Sequence, residues 1–203
     1  MPQRQRVVVL GSTGSIGANT LDVIRRQREG FDVFALSAST SVSVLLAQCL
    51  EFQPRYAVMA DENAAQKLSD QLPSDSTTEV LHGASALERI VTDEQVDVVM
   101  AAIVGSAGLP ATLAAARAGK KILLANKEAL VMAGHLFMDA VRDSGAVLLP
   151  IDSEHNAIFQ CLPVNEHAKT GLDGVTGIML TASGGPFRTW TSREIAAATV
   201  EQA

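Results

Sequence analysis

Short apolar runs and amphipathic stretches alternate along the chain from its first residues. Residues 6–10 form a brief Val/Leu run of strand length, followed by the turn 11–17 with three glycines in seven positions. Residues 15–27 read as a helix with Ile16, Leu21, Val23 and Ile24 available for one face. Residues 31–38 read as a second strand and 42–52 as a second helix. The alternation then repeats: strand 56–59, helix 62–72, strand 77–81, helix 85–91, buried strand 96–103, and helix 109–118 stopped by Gly119. Strand 121–124, a helix over 127–144 broken near Gly134, and strand 146–149 complete the series. Such alternation predicts an α/β class with a doubly wound, mostly parallel sheet over residues 1–149.

Pro150 marks a change. Residues 153–161 look helical and follow a turn bearing carboxylates. A polar link, 163–174, leads to a strand at 175–181, a glycine-rich loop at 183–188 and a helix at 192–198. Residues 150–203 thus read as the beginning of a second, α+β domain. One strand cannot satisfy its own ladder or cover its own face. The expectation is therefore a truncated chain, a fragment whose second domain is incomplete.

Bulk properties narrow the classes. The chain has 203 residues, 47% hydrophobic and 19% charged, enough to bury a sizeable core and to exclude disorder. Its net charge is −6 and no basic patch stands out, which argues against a nucleic-acid partner. An acidic protein can still bind phosphate through backbone N–H groups and helix N-termini. The two cysteines, Cys49 and Cys161, form no C-x-x-C pair and read as reduced, packed thiols of a cytoplasmic protein. The basic start is followed by an apolar run too short for a signal peptide. The uncharged run 98–116 approaches membrane-spanning length, but Gly105, Gly108 and Pro110 punctuate it as strand, turn and helix, so no membrane span is expected.

Five segments carry candidate chemistry. Gly11, Gly14 and Gly17 have G-x-x-G-x-x-G spacing between a strand and a helix, the context of a dinucleotide site. There, glycines let the backbone approach a diphosphate beside a helix N-terminus. The second strand ends in Ser39, Thr40 and Ser41, with no acid to repel a 2′-phosphate, which leans toward NADP. The alternative is that these hydroxyls cap the next helix. Asp152 and Glu154, at i and i+2 past a strand, suit Mg²⁺ or Mn²⁺. Alternatively, Asp152 or Ser153 caps a helix and Glu154 faces its dipole. Lys127, after another strand end, is placed to meet a phosphate or polarise an oxygen, or to start a solvated helix. The loop 183–188 with Ser183 and Arg188 has the look of an anion nest, or of a plain loop.

The turn 11–17 and segments 100–104, 123–128, 151–160 and 183–188 together resemble the 1-deoxy-D-xylulose 5-phosphate reductoisomerase family, in order and spacing, over essentially the whole chain. The resemblance implies a Rossmann-like NADPH-binding domain followed by a metal- and substrate-binding catalytic domain. It implies that Thr13, Gly14, Ser15 and Ile16 hold the NADPH diphosphate and that Asn126 and Glu128 also touch the cofactor. By the same carry-over, Lys127 meets the substrate, and Asp152 and Glu154 bind the divalent cation (Mg²⁺ or Mn²⁺). Ser153 and Glu154 contact substrate oxygens, and Ser183 the substrate phosphate. The implied reaction rearranges the carbon skeleton of a sugar phosphate by retro-aldol and aldol steps at a Lewis-acidic metal. NADPH then reduces the aldehyde to 2-C-methyl-D-erythritol 4-phosphate, on the methylerythritol phosphate route to isoprenoids, in a homodimer.

Two departures qualify the resemblance. Many family members carry Gly, a basic residue and Asn where this chain has Ser39, Thr40 and Ser41, so Thr40 and Ser41 are left to meet a 2′-phosphate with hydroxyls alone. The family's chain is also about twice as long, and its remainder carries a third metal carboxylate, further phosphate contacts and a lid. The fragment alone is therefore expected to be inactive. The rival readings are a non-catalytic nucleotide-binding module and a semialdehyde dehydrogenase. The latter needs an activated cysteine, but Cys49 lies in an ordinary helix pattern and Cys161 has no basic neighbour in sequence.

Overall fold

The computed structural model describes residues 4–163, 172–181 and 185–202. The chain divides into two compact units, parting between Asp152 and Ser153.

The first unit is built on one seven-stranded sheet: β1 (Gln5–Leu10), β2 (Phe31–Ala38), β3 (Tyr56–Met59), β4 (Glu79–His82), β5 (Val98–Ala101), β6 (Lys121–Leu124) and β7 (Val147–Pro150). Its spatial order is β4-β3-β2-β1-β5-β6-β7, and every pairing is parallel. Helices α1 (Ser15–Arg26), α2 (Val42–Phe52) and α3 (Glu62–Gln71) cover one face. Helices α4 (Ala84–Thr92), α5 (Leu109–Arg117) and α6 (Glu128–Ser144) cover the other. The reason is topological. Right-handed crossovers running outward from β1 to β4 put their helices on one side, and crossovers from β5 to β7, running the opposite way, put theirs on the other.

Two cores follow from strand alternation. Val8 and Leu10 pack with Ile90, Ala115 and Phe137, while Val7 and Val9 pack with Leu21, Leu45 and Leu68. The helix face of α1 differs from the sequence expectation. Gly17, Leu21 and Ile24 are buried, whereas Ile16 and Val23 are exposed. The i, i+4, i+7 stripe begins at Gly17, because only a glycine fits between this helix and the turn. The expected break in α6 lies at Ala133, whose φ of −140° is non-helical, one residue before Gly134. β5 is shorter than the apolar run suggested, and residues 102–105 leave the sheet as a loop.

In the second unit, α7 (Ser153–Cys161), a 3₁₀ turn (Gly185–Phe187) and α8 (Ser192–Ala196) are the main elements. A reciprocal capping box starts α8. The Thr191 hydroxyl accepts from the Glu194 N–H, and the Glu194 carboxylate accepts from the Thr191 N–H. The strand expected over 175–181 is not formed. No strand occurs among the described residues of this unit, since extended backbone becomes a strand only beside a pairing edge. Cys49 is buried as expected, but Cys161, at the end of α7, is exposed. Among the described residues, no helix is long and apolar enough to cross a membrane.

Candidate cofactor and metal site

The sheet order reverses between β1 and β5, so the crevice outside their carboxyl ends is the topological switch point, where open α/β sheets bind ligands. The glycine turn leaves β1 at this point, and its three glycines differ in what they do. Gly11 has φ +74°, and a Cβ there would lie 2.9 Å from the Ala102 carbonyl oxygen on the neighbouring strand's loop. A Cβ on Gly17 would lie 2.4 Å from the Gly11 carbonyl oxygen. Gly14 has only one neighbour, at 3.5 Å, and is exposed at the N-cap of α1. Two glycines therefore serve the fold, and the middle one leaves an open cradle over the helix N-terminus. The first turn of α1 contains no acidic residue, so nothing there competes for the positive end of its dipole.

Around this cradle, Thr13 is half-buried, and Ser15 and Ile16 are exposed. Ser39, Thr40 and Ser41 are exposed at the end of β2. Ser41 is the N-cap of α2, but its hydroxyl makes no capping hydrogen bond.

The second group gathers where β6 and β7 end. In register, Leu124 pairs with Pro150, and the Ile151 N–H donates to the Leu124 carbonyl at 2.8 Å. That pairing brings Lys127 to Asp152, with Nζ 3.3 Å from Oδ1. The lysine side chain is 52% exposed and the carboxylate 17%. Glu128 is exposed at the start of α6. Asn126 is 2% exposed, and both its amide hydrogens are used. Nδ2 donates to the carbonyls of Ile103, at 2.8 Å, and Gly105, at 2.9 Å. Its side chain thus shapes the loop after β5. Three strand spacings, roughly 14 Å, separate the turn after β1 from Asp152 after β7.

Asp152 closes the first unit, and Ser153 and Glu154 open the second. There both are exposed and line a cleft with Ile158, Cys161, Val175 and Met179. The Ser153 hydroxyl donates to the Glu154 carboxylate at 3.4 Å. Among the described residues, no group of three or more His, Cys, Asp or Glu is gathered to hold a metal ion. Two carboxylates are nonetheless the right donors for a hard cation whose shell is completed by water and substrate oxygens. Ser183 lies outside the described residues.

Sequence reasoning did not find Ser12, Ser37 and Gln48. These link the glycine turn to β2 and α2 through short hydrogen bonds. The available signal was a glutamine on the half-buried flank of a mostly apolar helix.

The profile of the 1-deoxy-D-xylulose 5-phosphate reductoisomerase family matches residues 7–134, and that of the same enzyme's C-terminal domain matches residues 148–203. The chain belongs to this family. A reductoisomerase of Stutzerimonas stutzeri (strain A1501) is 55% identical over 204 residues, covering 100% of this chain and 52% of that protein. The solved reductoisomerase from Zymomonas mobilis, in complex with NADPH, superposes with a TM-score of 0.86 at 48% identity. That match covers 99% of this chain and 51% of the other. A reductoisomerase structure in complex with NADPH, fosmidomycin and magnesium gives a TM-score of 0.81 at 44% identity, covering 98% of this chain and 50% of that one. The chain spans about half the length of the curated relatives it matches.

Proposed function

We propose that the protein is an NADPH- and divalent-cation-dependent oxidoreductase of isoprenoid biosynthesis that converts 1-deoxy-D-xylulose 5-phosphate to 2-C-methyl-D-erythritol 4-phosphate. It works in the cytoplasm as a homodimer, with its first unit as the cofactor domain. The observation that carries this reading is the open cradle at Gly14, set on a helix N-terminus at the switch point of a parallel sheet, in a chain of this family.

Thr13, Gly14, Ser15 and Ile16 receive the diphosphate, since the α1 N-terminus offers N–H groups and a positive dipole end. Thr40 and Ser41 donate hydroxyls to the 2′-phosphate. Asn126 holds the loop that walls the crevice, and Glu128 stands beside it at the start of α6. Asp152 and Glu154 hold Mg²⁺ or Mn²⁺, Ser153 and Glu154 meet substrate oxygens, and Ser183 meets the phosphate. When bound, the cation supplies Lewis-acid polarisation of the substrate ketone, and NADPH supplies hydride. Lys127, paired with Asp152, adds a positive charge that attracts the anionic substrate and offsets the carboxylate before a cation arrives.

The test is NADPH oxidation with 1-deoxy-D-xylulose 5-phosphate and Mn²⁺ by a chain extended to the family's length, comparing wild type with Asp152→Asn; the 203-residue chain alone is expected not to turn over. Turnover lost in the variant while NADPH still binds is expected. Undiminished turnover in the variant would remove Asp152 from the site. Competition binding is expected to favour NADPH over NADH by about 1–2 kcal/mol, the scale of one or two hydrogen bonds to a charged group.

A further inference from the structure

We infer that Gln48 is a positioning residue for the cofactor diphosphate, acting through the Ser12–Thr13 peptide. This rests on the reading of the glycine turn as the NADPH site. Gln48, on α2, grips one residue of the turn with both ends of its amide. Its Oε1 accepts from the Ser12 hydroxyl at 2.7 Å, and its Nε2 donates to the Ser12 carbonyl at 2.9 Å. Three further bonds to Ser37 of β2 complete the hold, one of them from the Ser12 hydroxyl to the Ser37 carbonyl at 3.2 Å. The Ser12 N–H donates to the Ser37 carbonyl at 2.8 Å, and the Gly11 N–H donates to the Ser37 hydroxyl at 3.0 Å. Ser12 and Ser37 are fully buried, so these bonds are shielded from competing water.

The consequence lies in peptide geometry. A trans peptide is planar, with its C=O and the following N–H pointing in opposite directions. Gln48 draws the Ser12 carbonyl toward α2. The Thr13 N–H, on the same peptide, is therefore aimed away from α2. Without the glutamine N–H, this peptide gains the option of flipping. A flip would present a carbonyl oxygen, in place of an N–H, to an incoming diphosphate. The Ser37 bonds hold Gly11 and the Ser12 N–H, but none of them reaches the Ser12 carbonyl. Gln48 sets that orientation through its Nε2–H bond to the Ser12 carbonyl.

The experiment compares wild type, Gln48→Met and Ser12→Ala on the 203-residue chain, using NADPH and adenosine 2′-monophosphate as ligands. Methionine keeps the length of glutamine and removes its amide. Gln48→Met is expected to raise the NADPH Kd about fivefold to tenfold, the loss of one oriented hydrogen bond. Adenosine 2′-monophosphate, which has no diphosphate, should bind within about twofold of wild type, although Tm should fall as the buried Ser12 hydroxyl and carbonyl lose their partner. Ser12→Ala keeps the carbonyl grip and should bind NADPH nearly as wild type does. Equal NADPH binding by wild type and Gln48→Met overturns the inference alone. Parallel weakening of both ligands makes Gln48 merely structural and also overturns it. If wild type itself fails to bind NADPH, the cofactor reading falls, and this inference with it.

Discussion

Gly17→Ala, set against Gly14→Ser, separates fold from ligand chemistry inside one turn. An alanine Cβ at position 17 would lie 2.4 Å from the Gly11 carbonyl oxygen, 2.5 Å from Ser12 Cα and 2.7 Å from the Ser12 carbonyl carbon. Ordinary contact begins near 3.4 Å, so turn and helix must separate by about 1 Å. All three obstacles are backbone atoms, and no side chain can swing aside to relieve them. Overpacking of this kind costs about 1–3 kcal/mol and occasionally more. The opposing gain from replacing a helical glycine by alanine is about 1 kcal/mol. With a rigid obstacle the steric cost sits at or above the top of its range, leaving a net loss of about 2 kcal/mol. For a domain of this size that lowers Tm by about 4–8 °C. Gly14 behaves in the opposite way. Its φ of −80° and ψ of 171° suit an N-cap serine, and its Cβ would meet one atom at an ordinary 3.5 Å. Serine is at least as good an N-cap as glycine, so Gly14→Ser should leave Tm unchanged within a few tenths of a kcal/mol. Its hydroxymethyl group would, however, stand where the diphosphate approaches, and NADPH affinity should fall at least about tenfold, ~1.4 kcal/mol. Thermal unfolding by circular dichroism and NADPH fluorescence titration read the two effects separately. A wild-type Tm for Gly17→Ala, or wild-type affinity for Gly14→Ser, would refute the division of roles.

Asn126→Leu should destabilise the first unit by about 2–3 kcal/mol in urea unfolding, because the Ile103 and Gly105 carbonyls lose their donors. A variant as stable as wild type would show that water replaces the amide at no cost. Burial pushes the Cys49 thiol up to about 12, so iodoacetamide at pH 8 should modify exposed Cys161 and spare Cys49 until the protein unfolds. The folded state favours the protonated Cys49. Its contribution to stability is therefore complete below the unfolded thiol value of about 8.5 and is lost as pH rises from there toward about 12. Cys49→Ala should remove that part of the alkaline decline, and an unchanged slope would assign the decline to other groups.

Much of the first unit was legible because its elements are punctuated. β2, α2 and β3 begin and end where the residue pattern puts them: Gly30 precedes β2, and Gln53 and Pro54 separate α2 from β3. Apolar composition alone was a poorer guide. Residues 102–104 continue the hydrophobic run of β5 but lie in a loop, with Val104 77% exposed. Hydrophobicity reports a preference for burial, whereas a strand also needs a neighbour for its N–H and C=O groups. Residues 175–181 fail to form a strand for the same reason, despite their apolar pattern. Along α1, Ile16 and Val23 attracted attention that belonged to Gly17, because a residue without a side chain registers as a gap in the pattern when it is in fact the point of closest packing.

The candidate site divides along a related line. The residues proposed to face ligands were chosen by type, because phosphate and metal chemistry select recognisable types at strand ends. Proximity was not legible. Lys127 and Asp152 are 25 residues apart, and they meet because β6 and β7 pair in parallel with Leu124 opposite Pro150, a register no local pattern contains. Least visible were the groups that hold the backbone itself. Gln48 and Asn126 each spend their amides on main-chain carbonyls, of Ser12 in one case and of Ile103 and Gly105 in the other. Every residue type has a main-chain carbonyl, so the identity of the partner residue holds no clue to the contact. A buried or half-buried amide beside a ligand loop is therefore better tested by asking which peptide it orients than by asking which ligand it touches.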